Sequence, residues 1–582
     1  MAHRSESEYS LEMERYLEHE QSPQIEGAGH VYVINLLRLR RREEELSITG
    51  FRGKFDDFFL HLPEESVVVF ISDCKTALDL TLQVEGKLKF RLWVAVERLD
   101  PLMRPSHLPD NHAAVIVFTK HKMPFKHSKI RIGYTNCPAC GKTTKDYGGK
   151  KHLYNPYGTL MSDVWRDIKI DEEGVPEAVL GRLADLFSVE PYSKLVFYDF
   201  REDKSLFSDN SDKKHKFEYY PLESHSLSSQ LVNADCIDSL KNLPESSIDF
   251  AFADPPYNIK KKYDNWDDGI EIEEYFSWCD KWIKEIYRVL KPGRVFCLLN
   301  IPLWVVRHYM FAKGLFSLYD FIAWEALGLP VRNIMPAHYS LLCLSKGVAR
   351  PISNYDYEPN LDSFMFSSQS LKEWYCARNS CIKSRNKPRI RDRSPLTNLW
   401  WDIHRLKHNS KRVDHPCQLP PDLMKRLIYT FTELGEIVLD PFNGAGTTTL
   451  VAEMMGRKYI GIELSEKYHQ ITCQRHIDIS NELDPFRKTN TTPKSKNSRV
   501  RRLSNQQYRV SKKKLQLEVR QIAKDIGRKP TRDDVREHTQ YPFEYFESYF
   551  IDWGEVCAAV GDKGMDENFS GDEGNDDQLT LL

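Results

Sequence analysis

Glu436-Ile-Val-Leu-Asp-Pro-Phe-Asn-Gly-Ala-Gly-Thr-Thr-Thr449 is the stretch whose reading decides the fold. Glu436 to Leu439 is a short apolar run of strand length, and Asp440 to Gly446 reads as a turn. Gly444 and Gly446 let the backbone bend sharply and approach a ligand closely. Thr447 opens a helix that runs through Glu453, and Tyr459-Ile-Gly-Ile-Glu463 is the next strand, ending in an acid. Glu463 follows the glycines by about 20 residues, the offset at which an acid receives ribose hydroxyls. A lone Gly-x-Gly carries little weight. Strand, Gly-rich turn, helix, strand and terminal acid in that order predict a doubly wound, Rossmann-like α/β sheet.

Upstream, Ile248-Asp-Phe-Ala-Phe-Ala253 reads as a buried strand, and Asp254-Pro-Pro-Tyr257 follows it directly. Two prolines donate no ladder hydrogen bonds, so the chain leaves the sheet at Asp254. A carboxylate, two rigid carbonyls and an aromatic ring thus collect at the carboxyl end of a strand, where open α/β sheets bind ligands. The Asp254 carboxylate and the Pro255 carbonyl are an acceptor pair for both protons of an exocyclic base amine. Tyr257 offers a face for stacking. A base reaches such a pocket only when flipped from the duplex. Taken alone, the tetrad also reads as a turn with a capping Asp; the glycine-rich segment decides between the two.

Together these segments resemble the catalytic and S-adenosylmethionine motifs of DNA amino-methyltransferases. The tetrad comes first and Pro441-Phe-Asn-Gly-Ala-Gly446 last, an order similar to the β class. Asn233-Ala-Asp-Cys236 stands where that family has its Gly-Asp-Cys contact to the cofactor adenine, with Ala234 in place of Gly. His415-Pro-Cys-Gln-Leu-Pro420 resembles the family's His-Pro-Thr-Gln-Lys-Pro, departing at Cys417 and Leu419. The likeness spans about Leu231 to Cys473. It implies catalytic roles for Asp254, Pro255, Pro256 and Tyr257. It also implies S-adenosylmethionine contacts from Asp235, Cys236, Asp440, Phe442, Gly444, Gly446, Thr447 and Glu463. The implied reaction is direct transfer of a methyl group to the amine, with no covalent enzyme–base intermediate and no catalytic Cys. Asp at the first tetrad position resembles adenine-N6 enzymes, whereas cytosine-N4 enzymes more often carry Ser. Cytosine N4 stays open as the alternative, as does a DNA-binding protein that has lost catalysis.

The chain of 582 residues exceeds what one core usually supports. No apolar run of about 18 residues occurs, so no membrane span is expected. Met1-Ala-His-Arg-Ser-Glu lacks the apolar core of a signal peptide, and twelve cysteines are too sparse for a disulfide scaffold. A prokaryotic cytoplasm, in association with the nucleoid, is the expected location. The net charge of −2 gives no global nucleic-acid signature, so basic residues must be concentrated locally if double-stranded DNA is the partner.

Residues 1–29 are polar and read as a flexible N-terminus. Residues 30–200 repeat the layout of the catalytic half. Val67–Ile71 parallels Arg294–Leu298, and Trp93–Glu97 parallels Phe321–Glu325. His112 and His338 each precede a lysine, Lys120 and Lys346, by eight residues. Asp163-Val-Trp-Arg-Asp-Ile168 parallels Asn398-Leu-Trp-Trp-Asp-Ile403. Neither chemical motif recurs; Lys194-Leu-Val-Phe-Tyr-Asp199 stands where the cofactor strand would be. The expectation is a degenerate methyltransferase-like α/β domain that takes the place of a second subunit, giving a monomer with an internal pseudodimer. Cys137-Pro-Ala-Cys140 has the knuckle spacing of a zinc site but is half of one, and a reduced surface turn is the other reading.

Residues 201–225 read as a linker and 226–480 as the catalytic domain. Ile272–Leu290 is an amphipathic helix whose aromatics read as core. Residues 347–396 correspond to the target-recognition segment. Lys383–Arg393 there holds six basic residues against one Asp, favouring phosphate or guanine contact over a merely solvated loop. Residues 481–514 form a basic linker, with eleven Lys or Arg and no acid from Pro485 to Lys514, suited to phosphates. Residues 515–561 resemble the small helical repeat found beside homing endonucleases, an all-α, helix-turn-helix-like DNA-binding module. Its helices are expected at Leu515–Ile526, onward from Gly527 through His538, and at Tyr549–Gly561. Residues 562–582 are an acidic tail expected to be disordered. A restriction or phage-defence partner and an unpartnered role both stay open.

Overall fold

The computed structural model describes residues 31–37, 46–48, 51–104, 107–120, 127–133, 158–171, 176–187, 195–201, 207–209, 227–258, 269–326, 334–352, 366–368, 393–403, 418–487, 512–550 and 553–560. Cys137, Cys140, the N-terminus, most of the target-recognition segment, most of the basic linker and the acidic tail lie outside them. The described residues fall into two compact units, one ending at 487 and one beginning at 512.

Among its described residues the first unit holds two large sheets and three two-stranded ones. We number the strands of the large sheets β1 Val31–Asn35, β2 Val67–Ser72, β3 Lys89–Leu102, β4 Asp110–Thr119, β5 Val164–Ile170 and β6 Leu195–Asp199, then β7 Gln230–Asn233, β8 Ile248–Ala253, β9 Leu290–Asn300, β10 Ser317–Glu325, β11 His338–Ser345, β12 Leu399–Trp400, β13 Ile437–Asp440 and β14 Lys458–Glu463. Helices α1 Phe51–His61, α2 Cys74–Val84 and α3 Glu177–Leu186 belong to the first half. Helices α4 Cys236–Lys241, α5 Ile272–Val289, α6 Pro302–Ala312, α7 Pro421–Phe431, α8 Thr447–Met454 and α9 Glu466–Ser480 belong to the second.

The second sheet runs β7-β14-β13-β8-β9-β11-β10-β12. Strands β7, β14, β13, β8 and β9 are mutually parallel, β11 is antiparallel to both β9 and β10, and β12 runs parallel to β10. Strand β8 lies at the centre, and every residue from Ile248 to Ala253 is buried. At its amino end Asp249 accepts from Lys291 at 2.8 and 2.9 Å and from the Ile437 amide at 3.0 Å, so this carboxylate is fully engaged in holding strands together.

The first sheet runs β6-β1-β2-β4-β3-β5, and β13-β8-β9-β11-β10-β12 of the second has the same order. Each pair also has the same direction in both. The crossover helices correspond as well: α1 to α5, α2 to α6 and α3 to α7. Among the described residues the first half has no counterparts of β7 and β14. The registers align the halves residue by residue. Val67 lies opposite Thr119 and Val295 opposite Ser345. Glu97 lies opposite His112 and Glu325 opposite His338. This shifts the match by one residue from sequence spacing, so Val67 corresponds to Val295 and not Arg294. The shift arises because Lys291-Pro-Gly293 lies within β9, where the pairing with β8 slips between Ile248 and Phe250. By the same count Asn35 stands where Asp254 stands in the second half.

The halves meet about corresponding residues. The Trp93 and Phe321 rings stack with centroids 4.8 Å apart. The Asn398 amide donates to the Pro109 carbonyl at 3.1 Å, and the Asp163 amide to the Met335 carbonyl at 3.3 Å. The Asn111 amide donates to Asn398 Oδ1 at 2.8 Å, and the Ala337 amide to Asp163 Oδ1 at 2.8 Å. These two pairs of bonds mirror one another across the halves.

The second unit packs α10 Lys512–Ile526, α11 Arg532–His538, α12 Glu544–Tyr549 and α13 Trp553–Val556 around Leu515, Val519, Ile522, Val535, Phe546, Phe550, Val556 and Cys557. Thr531 and Asp534 form a reciprocal capping box at the start of α11. The expected third helix from Tyr549 is not one helix. Tyr549 closes α12, Phe550 is extended, and a fresh short helix begins at Trp553.

Candidate active site

Four adjacent parallel strands bring the expected residues to one edge. β7 ends at Asn233 before Asp235 and Cys236, β14 at Glu463, β13 at Asp440 and β8 at Ala253 before Asp254. The sheet order reverses between β13 and β8, which opens the crevice typical of ligand sites in such sheets.

Double proline ends β8, and side-chain donors then fix the backbone after it. Tyr275 Oη, from α5, donates to the Pro256 carbonyl at 2.7 Å. Trp304 Nε1, from α6, donates to the Tyr257 carbonyl at 2.8 Å. Among the described residues no hydrogen bond to the Pro255 carbonyl is found. Tyr257 Oη donates to Asp254 Oδ1 at 2.8 Å, holding the carboxylate beside the ring. The Tyr257 ring is buried, with Tyr339 at 6.4 Å between centroids.

The glycine-rich turn is built by its own hydrogen bonds. Asp440 Oδ1 accepts from the Phe442 amide at 2.9 Å, and Glu463 accepts from the Gly444 and Ser465 amides, each at 2.8 Å. Thr472 Oγ1 donates to the Gly444 carbonyl at 3.0 Å. Gly446 has φ +81°, and a Cβ there would lie 2.5 Å from Thr472 Cγ2, so the fold itself demands glycine at this point. Thr447 is the buried first residue of α8. Phe442 packs edge-on against Trp278 and Trp282 at 5.6 and 5.2 Å. Asp235 caps α4, accepting from the Ile237 and Asp238 amides, and Cys236 is buried behind it. Burial pushes the Cys236 thiol up, which suits a packing role.

Charge accumulates here. Burial pushes the Asp440 carboxyl up to about 7; bonds from Thr448 and Phe442 oppose this, and Asp254 and Glu463 add to it. Burial also pushes Glu463 up, against the amides it accepts from. The Asp254 and Glu463 carboxyls, with a backbone turn and Asp235 beside them, fit a nucleoside whose hydroxyls donate and which carries positive charge, as S-adenosylmethionine does. Among the described residues no three His, Cys, Asp or Glu side chains converge as a metal ion would need.

The sequence signals missed the donors behind the tetrad. Tyr275 reads as core from periodicity, and it is core, but its hydroxyl also holds Pro256. Trp304 and Tyr339 carry no local signature. A polar tip on an otherwise apolar face is the one available hint for Tyr275 and Trp304.

Residues 248–474 match the DNA methylase family model, and residues 510–562 match the homing endonuclease associated repeat. Over 239 residues the chain is 36% identical to Type II methyltransferase M.BamHI of Bacillus amyloliquefaciens, covering 40% of this chain and 54% of that one. It is 29% identical over 255 residues to Type II methyltransferase M.HpaI of Haemophilus parainfluenzae, covering 43% and 74%. It is 28% identical over 278 residues to DNA adenine methyltransferase YhdJ of Escherichia coli K12, covering 46% and 91%. The chain thus spans about half the length of M.BamHI, and each match covers under half of this chain.

Proposed function

We propose that this chain is an S-adenosylmethionine-dependent DNA methyltransferase acting on the N6 amine of a flipped adenine in double-stranded DNA. The observation that carries the reading is the position of Asp254 and Pro255 at the same strand edge as the Asp440–Gly446 turn and Glu463. S-adenosylmethionine, when bound, supplies a methyl carbon on a cationic sulfonium. The Asp254 carboxylate and the Pro255 carbonyl accept the two amine N–H bonds and draw the nitrogen lone pair out of the ring. Tyr257 orients Asp254 through its hydroxyl and gives its ring to the base. Tyr275 and Trp304 hold the Pro256 and Tyr257 carbonyls, so the backbone acceptor offered to the amine is that of Pro255. Glu463 keeps acceptor capacity for ribose hydroxyls beside the two amides it already takes, and Asp235 for the adenosine end. Much of the rate gain on this account comes from alignment. The name of YhdJ and the Asp at the first tetrad position favour adenine over cytosine N4. Nucleoside mass spectrometry of treated DNA decides between them: N6-methyladenine is expected, and N4-methylcytosine would transfer the reading to the other base.

We further infer that residues 30–200 are a degenerate methyltransferase unit, with Asn35-Leu36-Leu37 where the tetrad stands, occupying the place of a second subunit. One active site per chain and a monomer follow. Light scattering showing a stable dimer would overturn this. The names of M.BamHI and M.HpaI favour a restriction-modification setting in a prokaryotic cytoplasm at the nucleoid; no described helix is long and apolar enough to cross a membrane. The C-terminal repeat and the basic segments 383–393 and 485–514 supply the DNA contacts.

A further inference from the structure

The half without chemical motifs holds one short segment that leads to the Asp254 edge. Met335, Ala337 and His338 lead into β11, and four hydrogen bonds from the first half hold them. The Met335 amide donates to the Met161 carbonyl at 2.8 Å, and the Asp163 amide to the Met335 carbonyl at 3.3 Å. The Ala337 and His338 amides both donate to Asp163 Oδ1, at 2.8 and 2.9 Å. Asp163 is buried, so its acceptor is not shared with solvent. The next residue is Tyr339. It is half-buried, with its ring 6.4 Å from Tyr257 and 5.7 Å from Trp324.

We propose that Tyr339 is a second aromatic wall of the target-base pocket, and that Asp163 of the degenerate half is the positioning residue that keeps it there. This rests on the methyltransferase reading. A flipped base is held by stacking between aromatic or apolar side chains as well as by its hydrogen-bonding edge. Tyr257 is the aromatic of the tetrad, and the strand order delivers Tyr339 to the same edge, 6.4 Å from it between centroids. The corresponding position in the other half is Asn398, whose Oδ1 takes the Asn111 amide in the mirrored bond. An amide oxygen therefore does there what the carboxylate does at Asp163, which supplies a conservative variant.

The test uses the full chain, tritiated S-adenosylmethionine and genomic DNA from a methylation-free host. Tyr339→Ala and Asp163→Ala are expected to lower kcat/KM for DNA by about tenfold or more, within the roughly 10²-fold that small misplacements cost. Cofactor affinity by calorimetry stays near wild type. Phe at 339 and Asn at 163 recover most of the loss. Hydrogen exchange at the Ala337 and His338 amides quickens in Asp163→Ala and not in Asp163→Asn. Should Asp163→Ala not fold, Asp163→Ser, too short to span both amides, replaces it. Wild-type kcat/KM in Tyr339→Ala overturns the wall, and so does a Phe variant as defective as the Ala one. Wild-type kcat/KM in Asp163→Ala with quickened exchange overturns the positioning role. A wild-type protein that methylates no DNA refutes the activity reading instead.

Discussion

Replacing Gly446 by Ala strikes the point where the glycine-rich turn meets α9. Gly446 has φ +81°, and the added Cβ would lie 2.5, 2.9 and 3.1 Å from Cγ2, Oγ1 and Cβ of Thr472. Thr472 is fully buried and bonded to the Gly444 carbonyl, so it has little room to rotate away. Left-handed backbone costs a non-glycine residue about 1–2 kcal/mol, and overpacking a dense site about 1–3 kcal/mol, together about 2–5 kcal/mol. Denaturant unfolding followed by tryptophan emission measures the loss, with Trp278 and Trp282 in contact with Phe442 in the turn. Calorimetry with S-adenosylmethionine should show weakened binding in the same variant. Thr472→Ala removes the two nearest atoms, so in the double variant the packing share should return while about 1–2 kcal/mol of backbone strain stays. A Gly446→Ala protein as stable as wild type, with unchanged cofactor affinity, would refute the description of this turn.

Trp304→Phe keeps an aromatic ring, though a smaller one, and removes the indole donor to the Tyr257 carbonyl. Leaving that carbonyl unpaired should cost about 1–3 kcal/mol and slow methyl transfer about tenfold, with cofactor affinity unchanged in calorimetry. The Asp440 and Asp163 carboxyls are pushed up by burial to about 7, against about 3.9 in an unfolded chain. The folded state therefore binds more protons between those values, and stability should fall as pH rises from about 4 through about 7. Asp440→Asn should flatten this fall in a melting series, and an unchanged slope would remove Asp440 as its source. Deleting residues 513–582 should weaken DNA binding and reduce its dependence on salt concentration, because fewer phosphates are neutralised. An equal salt slope in the truncated protein would mean the helical repeat does not touch phosphates.

The parts of the site legible in the sequence are those written in consecutive residues. The double proline after an apolar run locates Asp254 at a strand end, and the glycines before Thr447 locate the turn. The duplicated layout was legible through the paired His-to-Lys spacings and the Trp93 and Phe321 runs. Its register was not, because Lys291-Pro-Gly293 reads as a helix stop and is also the irregular start of β9. Asn35 at the place of Asp254 shares no motif with it and emerges only from strand pairing. The contacts of Asp163 with Ala337 and His338 join residues over 170 positions apart. No local periodicity encodes such a contact. Trp304 and Tyr275 are hidden for another reason: an aromatic that fills the core and one that also holds a carbonyl of the Asp254–Tyr257 segment look alike in sequence.

The most direct test of the account is the product formed in a methylation-free host expressing the wild-type chain or Asp254→Ala. Base-resolved sequencing and nucleoside mass spectrometry of the host DNA should find N6-methyladenine in one sequence context with the wild type. They should find none, or less than about a tenth of the rate, with Asp254→Ala, a loss of at least about 1.4 kcal/mol in transition-state stabilisation. The variant should still bind S-adenosylmethionine. DNA free of methylated bases with the wild type, or methylation by Asp254→Ala within about tenfold of it, would contradict the assignment of this edge as a base-amine methylation site.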